Sequence, residues 1–215
     1  MGKVYQARDE RLDRQVAVKV VPPGQGGGQG ASERFEHEAR ATARVDHPGV
    51  VAVFDAGELD DGTRYIVMEW LAGRDLAWLL RRFGRGSPAQ VAALLRQGGA
   101  ALTAAHDAGL VHRDIKPANI FVAGGADGLR VKIVDFGIAK DLSLEAGLTR
   151  PGQLLGTPLF MSPEQLLQRP VDLRSDLYSF AAVIHEALTG CRVVTATSFG
   201  DLVAEVVHTI PPPVS

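Results

Sequence analysis

The sequence predicts an α+β fold, in which a small sheet with one helix precedes a mainly helical region. Two observations predict it. Within the first 70 residues, valine-rich segments with alternating apolar residues indicate strands, and one segment near Ser32 has apolar residues at helical spacing. After residue 70, cap and stop residues predict helices, including a long one that begins at Ser87-Pro88 and ends at Gly109. Strands followed by helices are typical of α+β proteins.

The composition limits the kinds of protein this can be. A length of 215 residues with 46% apolar and 22% charged residues suits a globular protein with a core. A net charge of −2 gives no reason to expect a nucleic acid or an acidic membrane as partner. The single cysteine, Cys191, cannot form an internal disulfide, which indicates a reducing compartment. We expect no signal peptide in this chain, because its N-terminus is polar and charged from Lys3 onward, and no membrane segment, because its longest apolar run is short.

The first strands are predicted at residues 1–9 and 15–21. Lys19 lies inside the second strand (QVAVKVV), and a lysine in a strand core is costly unless it is paired. The segment that follows, residues 22–30, is rich in glycine. Its glycines lack the spacing of a dinucleotide-binding loop, so we predict a flexible linker.

A helix is predicted over residues 32–45, followed by strands over 50–58 and 63–69 joined by the turn residues Asp60-Asp61-Gly62. A second helix is predicted to run through Arg82.

The third predicted helix is long. Ser87-Pro88 provides an N-cap and a first-turn proline for it, and Gly109 ends it. A short amphipathic helix is predicted over 201–207, and residues 211–213 (PPP) are predicted to form a connector.

The most informative stretch is residues 111–122 (VHRDIKPANIFV). The carboxylate of Asp114 can accept a proton from a hydroxyl, the amide oxygen of Asn119 can ligate a hard cation, and Lys116 can hold an anion. Phosphoryl transfer needs such a base, a metal and positive charge on the moving phosphate. A second stretch, residues 131–137 (VKIVDFG), is an apolar strand that ends in an acid.

These motifs resemble those of the eukaryotic-type protein kinases. The stretches HRDIKPANI, DFGIAK and GTPLFMSPEQ are similar to bacterial serine/threonine kinases, and the resemblance covers essentially the whole chain. It implies the two-lobed protein-kinase fold, with a small antiparallel-sheet N-lobe that has one helix and a mainly helical C-lobe. We expect one catalytic domain over 1–215, with an N-lobe at 1–70 and a C-lobe at 71–215. It is expected to be incomplete at both ends. Gly2 resembles the last glycine of the phosphate-binding loop, so the first strand would be absent, and the last helices of the usual fold would also be missing.

The resemblance also assigns catalytic roles. Asp114 would be the base, Lys116 would neutralise the transferred phosphate, and Lys19 would hold the other phosphates of ATP. Glu38 would pair with Lys19, a choice that rests on the family pattern. Asn119 and Asp135 would hold Mg²⁺. The residues expected to contact the nucleotide are Val4, Ala17, Lys19, Met68, Glu69, Leu71, Phe121 and Val134.

Regulation is expected in residues 138–159, which resemble an activation segment. Thr149 is the preferred phosphorylation site, and its phosphate would pair with Arg113. The alternative, that Thr149 is only a loop hydroxyl, stays open. Phe136 would switch activity by its packing, and Thr157 would support Asp114 and Lys116 beside the substrate. Asp176 and His112 would be structural.

The implied function is transfer of the γ-phosphoryl group of Mg·ATP to serine or threonine hydroxyls of proteins, with autophosphorylation. One alternative is a nucleotide-binding regulatory module with little turnover. A small-molecule phosphotransferase is a third reading, but such proteins typically lack the segment Gly156 to Glu164 that this chain has. The implied partners are ATP, Mg²⁺ and a protein substrate, with a dimer for phosphorylation between copies. The implied location is the cytoplasm, and a membrane anchor in a longer parent chain is left open.

Overall fold

The computed structural model describes residues 2–23, 31–125, 128–136 and 158–208. The elements up to residue 69 are β1 (Lys3–Asp9), β2 (Arg14–Val21), α1 (Ala31–Ala43), β3 (Val53–Glu58) and β4 (Arg64–Glu69). Those that follow are β5 (Arg74–Asp75), α2 (Leu76–Phe83), α3 (Pro88–Asp107), a 3₁₀ helix (Pro117–Asn119), β6 (Ile120–Gly125), β7 (Gly128–Ile133), a second 3₁₀ helix (Pro158–Phe160), α4 (Pro163–Leu166), α5 (Leu173–Thr189) and α6 (Phe199–His208).

The N-terminal lobe is a four-stranded antiparallel sheet in the order β1-β2-β4-β3. Helix α1 packs on it through Phe35 and Ala39, which are buried against Val21 and Ile66. The spacing of these two residues in α1 places them on one face of the helix. The predicted α+β class, with an antiparallel sheet and one helix in the first lobe, is confirmed. The division at residue 70 stays a prediction.

The strand predicted over residues 50–58 is shorter than expected, because β3 begins at Val53. The residues before it pair with the end of β7 instead. Val51 N–H donates to the Ile133 carbonyl at 3.0 Å, and Ile133 N–H donates to the Gly49 carbonyl at 2.8 Å. Valines such as those at 50, 51 and 53 favour extended backbone, but they do not determine which strand that backbone pairs with. Here the extended segment links the two sheets of the molecule.

The C-terminal lobe contains a three-stranded sheet, β5-β6-β7, and the helices that pack around α3 and α5. Strands β5 and β6 were not predicted, since β5 has two residues and β6 ends in a pair of glycines. The predicted start of α3 is confirmed: Ser87 and Gln90 form a capping box, and Pro88 occupies the first turn. The helix ends as expected before Gly109, which has φ of 75°.

Helix α6 extends the predicted segment 201–207 at both ends, and it packs through Leu202 and Val206 on Leu166 and Val194. The Gly-rich residues 24–30 and the proline connector lie outside the described residues. Among the helices that the structure describes, none combines the length and apolar character needed to span a bilayer.

Helices α3 and α5 approach closely at Gly98. A Cβ atom built there would lie 2.6 Å from Cζ of Phe180, whereas one built on the neighbouring Gly99 would meet nothing within 4 Å. The first glycine is therefore required by packing, and the second is not.

This difference gives a matched pair of variants. Gly98→Ala should destabilise the domain by about 1–3 kcal/mol, because the buried Phe180 ring has to move. Gly99→Ala should stabilise it by about 0.5–1 kcal/mol, because alanine favours the helix. Urea unfolding of both variants measures the two effects. Equal stability of the two would contradict the close approach of α3 and α5.

Candidate active site

Lys19 and Asp135 form an ion pair that joins the two sheets. Lys19 lies on β2 and Asp135 follows β7, and Nζ is 2.8 Å from Oδ1 of the acid. This contact supplies the partner that a lysine in an apolar strand requires. The expected pairing of Lys19 with Glu38 on α1 stays a prediction, since the partner that the structure gives for Lys19 is Asp135.

The predicted base lies in a network within its own loop. Lys116 Nζ is 2.8 Å from Oδ2 of Asp114, and Asn119 Nδ2 donates to the same oxygen at 3.1 Å. Asn119 Nδ2 also donates to the Asp114 carbonyl at 2.8 Å. These contacts hold the carboxylate in one orientation. A base whose orientation is fixed in advance costs less to align with a hydroxyl.

The 3₁₀ helix at Pro117–Asn119 joins this loop to Asp135. The carbonyl of Asn119 accepts from Val134 N–H at 3.0 Å, directly before Asp135 in the chain. Two contacts, Lys19–Asp135 and Asp114–Asn119, are thus linked through the backbone of Val134. The catalytic roles of these residues stay predictions.

Asp176 binds the backbone of the loop that precedes Asp114, in agreement with the structural role expected from the sequence. It is 1% exposed, and it accepts from the backbone N–H groups of His112 at 2.7 Å and Arg113 at 2.8 Å. His106, in the last turn of α3, contributes a third contact, with Nε2 2.8 Å from Oδ2. The sequence analysis did not identify His106.

His112 is fully buried and connects the two functional stretches. Its Nε2 lies 2.9 Å from the Val134 carbonyl, which can only accept, and Asp114 N–H donates to Nδ1 at 3.2 Å. Both bonds require a neutral ring that carries its proton on Nε2. Burial lowers the pKa of His112, against the opposing effect of Asp176, and this agrees with the neutral form.

This lowered pKa predicts a loss of stability in acid. As the pH falls below about 6.5, the unfolded chain takes up a proton at this position before the folded one does. Stability contributed by neutral His112 is therefore complete above that pH and lost below it, by up to about 1.4 kcal/mol per pH unit.

Denaturation at pH 7.5 and 5.5 should show a smaller acid loss for His112→Gln than for the unsubstituted protein. His37→Gln, at an exposed position on α1, is the matched control and should keep the full pH dependence. An unchanged pH dependence in His112→Gln would show that this ring does not carry the effect.

Gln165 is a further contact that the sequence analysis missed. Its Nε2 donates to the Arg113 carbonyl at 2.7 Å, and its Oε1 accepts from Ser162 N–H at 3.0 Å. The side chain of Gln165 thus connects α4 to the loop that carries Arg113 and Asp114. The spacing Ser-x-x-Gln is a capping-box pattern and would have predicted the contact with Ser162, but not the one with Arg113.

Three of the residues expected to contact the nucleotide pack together. Ala17 and Met68 are paired across β2 and β4, and both belong to an apolar cluster that also contains Val134. Val4 is 55% exposed on β1, Phe121 lies on β6, and Leu71 follows β4. Their contacts with a nucleotide stay predictions.

The side chain of Glu69 has a structural role. Its Oε1 forms an ion pair with Lys132 on β7 and accepts from Ala52 N–H at 2.8 Å. Lys132 Nζ also donates to the Val50 carbonyl at 3.3 Å. The carboxylate therefore bridges the lobes, which leaves the expected adenine contact of Glu69 to its backbone.

The expected regulatory residues are placed in part. Phe136 is fully buried, with its ring centroid 4.6 Å from that of His112. Arg113 is exposed beside Asp114, and its φ of 63° is in the left-handed region, as is that of Asp135 at 61°. Thr149 and Thr157 lie outside the described residues.

The donor set near Asp135 fits a magnesium ion. The side-chain nitrogen Nδ2 of Asn119 donates to Asp114. This leaves the side-chain oxygen Oδ1 of Asn119 for other contacts. In the described ranges there is no group of three or more His, Cys, Asp or Glu side chains suited to a metal. Mg²⁺ bound with a nucleotide needs only one or two carboxylates besides phosphate oxygens, so the acid and the amide are compatible with it.

Comparison with known proteins decides the family. The profile of the protein kinase domain matches residues 1–210. The chain belongs to the protein kinase family. This kinase domain is 43% identical to the serine/threonine-protein kinase PknA of Mycobacterium tuberculosis over 196 residues, which cover 89% of this chain and 44% of PknA. It is 41% identical to the probable serine/threonine-protein kinase CE0033 of Corynebacterium efficiens, with 88% of this chain and 29% of the relative covered.

Solved structures agree with this assignment. The kinase domain of PknI from Mycobacterium tuberculosis superposes with a TM-score of 0.72 at 30% identity, covering 91% of this chain and 72% of that one. A second structure of the same domain gives a TM-score of 0.75 at 28% identity, with coverages of 99% and 74%. The chain spans less than half the length of the curated relatives named above.

Proposed function

We propose that this chain is the catalytic domain of a bacterial serine/threonine protein kinase, which transfers the γ-phosphoryl group of Mg·ATP to protein hydroxyls. The observation that carries the proposal is the connected set of Lys19, Asp114, Asn119 and Asp135. Phosphoryl transfer depends on positioning and on stabilising negative charge, and this set provides a base, a cation and metal-binding oxygens.

Asp114 is proposed to orient the attacking hydroxyl and accept its proton. Lys116 and Asn119 hold its carboxylate, and the buried Asp176 holds the backbone of its loop. Lys116 would also neutralise charge on the phosphate that moves. A lysine two residues after the base resembles the serine/threonine kinases, which supports a serine or threonine as acceptor.

Lys19 is proposed to bind the α- and β-phosphates of ATP. Its ammonium already lies at 2.8 Å from Asp135, so the lysine and the acid converge on one place. Asn119 and Asp135 would hold Mg²⁺, which supplies positive charge against the phosphate oxygens when it is bound. Ala17, Met68 and Val134 form an apolar surface suited to the adenine ring.

The role of Asp114 is testable by an isosteric change. Asp114→Asn should lower the rate of phosphate transfer by about 100- to 10,000-fold, because the amide cannot accept the proton. Binding of Mg·ATP, measured by calorimetry, should be retained. Asp107→Asn removes an exposed acid at the end of α3 and should leave the rate unchanged.

Transfer by Asp114→Asn at the unsubstituted rate would refute the assignment of the base. If the unsubstituted chain binds Mg·ATP but transfers no phosphate to itself or to a protein substrate, the regulatory-module alternative is favoured instead.

Thr149 is proposed as the site of autophosphorylation. A phosphothreonine adds a charge of about −1.5 to −2, which the exposed Arg113 could pair with and so order the segment. Mass spectrometry after incubation with Mg·ATP should find phosphate on Thr149 and a faster reaction afterwards. Thr149→Ala should lose both effects, whereas Ser143→Ala should keep them. Phosphate on other residues alone would contradict the choice of Thr149.

The partners proposed for the whole protein are ATP and a protein substrate with a serine or threonine acceptor. A dimer is proposed for phosphorylation between copies, and the cytoplasm is the proposed location of this domain.

A further inference from the structure

The peptide group that joins Arg113 to Asp114 is held by side chains at both of its polar atoms. Its N–H, which belongs to Asp114, donates to Nδ1 of His112 at 3.2 Å, and its carbonyl, which belongs to Arg113, accepts from Nε2 of Gln165 at 2.7 Å. A peptide group has no other polar atoms, and it is planar. These two bonds therefore fix one of the two peptide planes that meet at the Cα atom of Asp114.

The backbone at this point needs such restraints. Arg113 has a φ of 63°, in the left-handed region, which a non-glycine residue keeps only where its surroundings hold it. Its N–H is held by Asp176 Oδ1 at 2.8 Å, and its carbonyl by Gln165. Of these two restraints on Arg113, the one from Gln165 acts on the side that leads into Asp114.

The side-chain amide of Gln165 can point in only one way. Its Oε1 accepts from Ser162 N–H at 3.0 Å, and its Nε2 donates to the Arg113 carbonyl. The backbone N–H can only donate and the carbonyl can only accept, so the two partners together determine which end of the amide faces which. Gln165 is 4% exposed, so little water is present to replace either bond if it is lost.

The short helix that carries this glutamine is itself attached to α5. Ser179 Oγ donates to the Phe160 carbonyl at 2.6 Å, shortly before α4 begins, and Ser175 Oγ donates to Glu164 within α4. The acid that binds the N–H of the strained residue also belongs to α5. Helix α5 thus holds that residue from both sides, its N–H directly and its carbonyl through α4.

We propose that Gln165 is a positioning residue for phosphoryl transfer, which fixes the peptide group before Asp114 and so keeps the carboxylate of Asp114 aligned with the acceptor hydroxyl. The inference rests on the proposed role of Asp114 as the base. Lys116 and Asn119 hold the carboxylate itself, and Gln165 holds the backbone that carries it. Because the glutamine belongs to α4, a shift of α4 against α5 would also move the base.

The isosteric variant Gln165→Glu tests the proposal. It keeps an oxygen that accepts from Ser162 N–H but places the second oxygen against the Arg113 carbonyl, so that attraction becomes repulsion. The maximal rate of autophosphorylation should fall by about 10- to 100-fold, because a misplacement of about 1 Å can cost about 100-fold in rate. The KM for ATP and the Kd of Mg·ATP, measured by calorimetry, should change by less than about twofold, since the nucleotide contacts are untouched.

Two control variants separate this effect from a general change in α4. Gln168→Glu makes the same change at an exposed glutamine just after α4 and should alter the rate by less than about twofold. Ser162→Ala removes the hydroxyl that accepts from Gln165 N–H at 3.4 Å but leaves the bond to the Arg113 carbonyl in place. It should lower the unfolding temperature and keep the rate within about threefold. Circular dichroism checks that each variant is folded.

A second measurement observes the peptide group directly and needs no turnover. Hydrogen exchange of the Asp114 amide, followed by NMR, reports how often its bond to His112 opens. In Gln165→Glu this amide should exchange about tenfold faster or more, because the other end of its peptide group is no longer held. In Gln168→Glu its exchange should be unchanged.

Three outcomes would overturn the proposal while leaving the proposed function in place: an unchanged rate in Gln165→Glu, an equal loss of rate in Ser162→Ala, or unchanged exchange of the Asp114 amide. In each of these cases Asp114→Asn would still abolish transfer by an active unsubstituted chain. An unsubstituted chain that transfers no phosphate would instead overturn the proposed function, and the positioning role of Gln165 with it.

Discussion

The carboxylate of Asp176 fixes the loop on which the rest of the site depends. A carboxylate this deeply buried is costly unless its oxygens are hydrogen bonded, and three N–H groups bind it here. Hydrogen bonds to a charged group contribute about 1.5–3 kcal/mol each. Two of the donors are consecutive backbone groups, at His112 and Arg113, so the acid sets the direction in which the chain enters Asp114.

Two non-glycine residues hold the loops of the site in an unfavourable backbone conformation. Arg113 and Asp135 both have φ near the left-handed region, which costs about 1–3 kcal/mol each. Each of them is held by contacts with distant parts of the chain. Arg113 is bound through its N–H by Asp176 and through its carbonyl by Gln165, and Asp135 is bound by Lys19. Both strained residues lie in loops that carry predicted site residues.

The family resemblance, together with polar residues that interrupt apolar runs, pointed to some of the residues that the structure brings together. Lys19 in its valine strand and Asp135 at the end of another are of this kind, and the structure brings them together. Contacts between distant residues were not predictable in this way. Gln165 binds a carbonyl 52 residues away and His106 a carboxylate 70 residues away, and neither position has a local pattern that requires its partner. The segment before β3 was misassigned for the same reason, because its valines do not specify the strand they pair with.

The backbone bonds of Gly49 and Val51 to Ile133 have a mechanical consequence. These bonds and the Glu69–Lys132 ion pair join the two lobes, which residues 70–73 also connect through the chain itself. Any rocking of one lobe against the other that preserves these bonds must pivot close to residue 51.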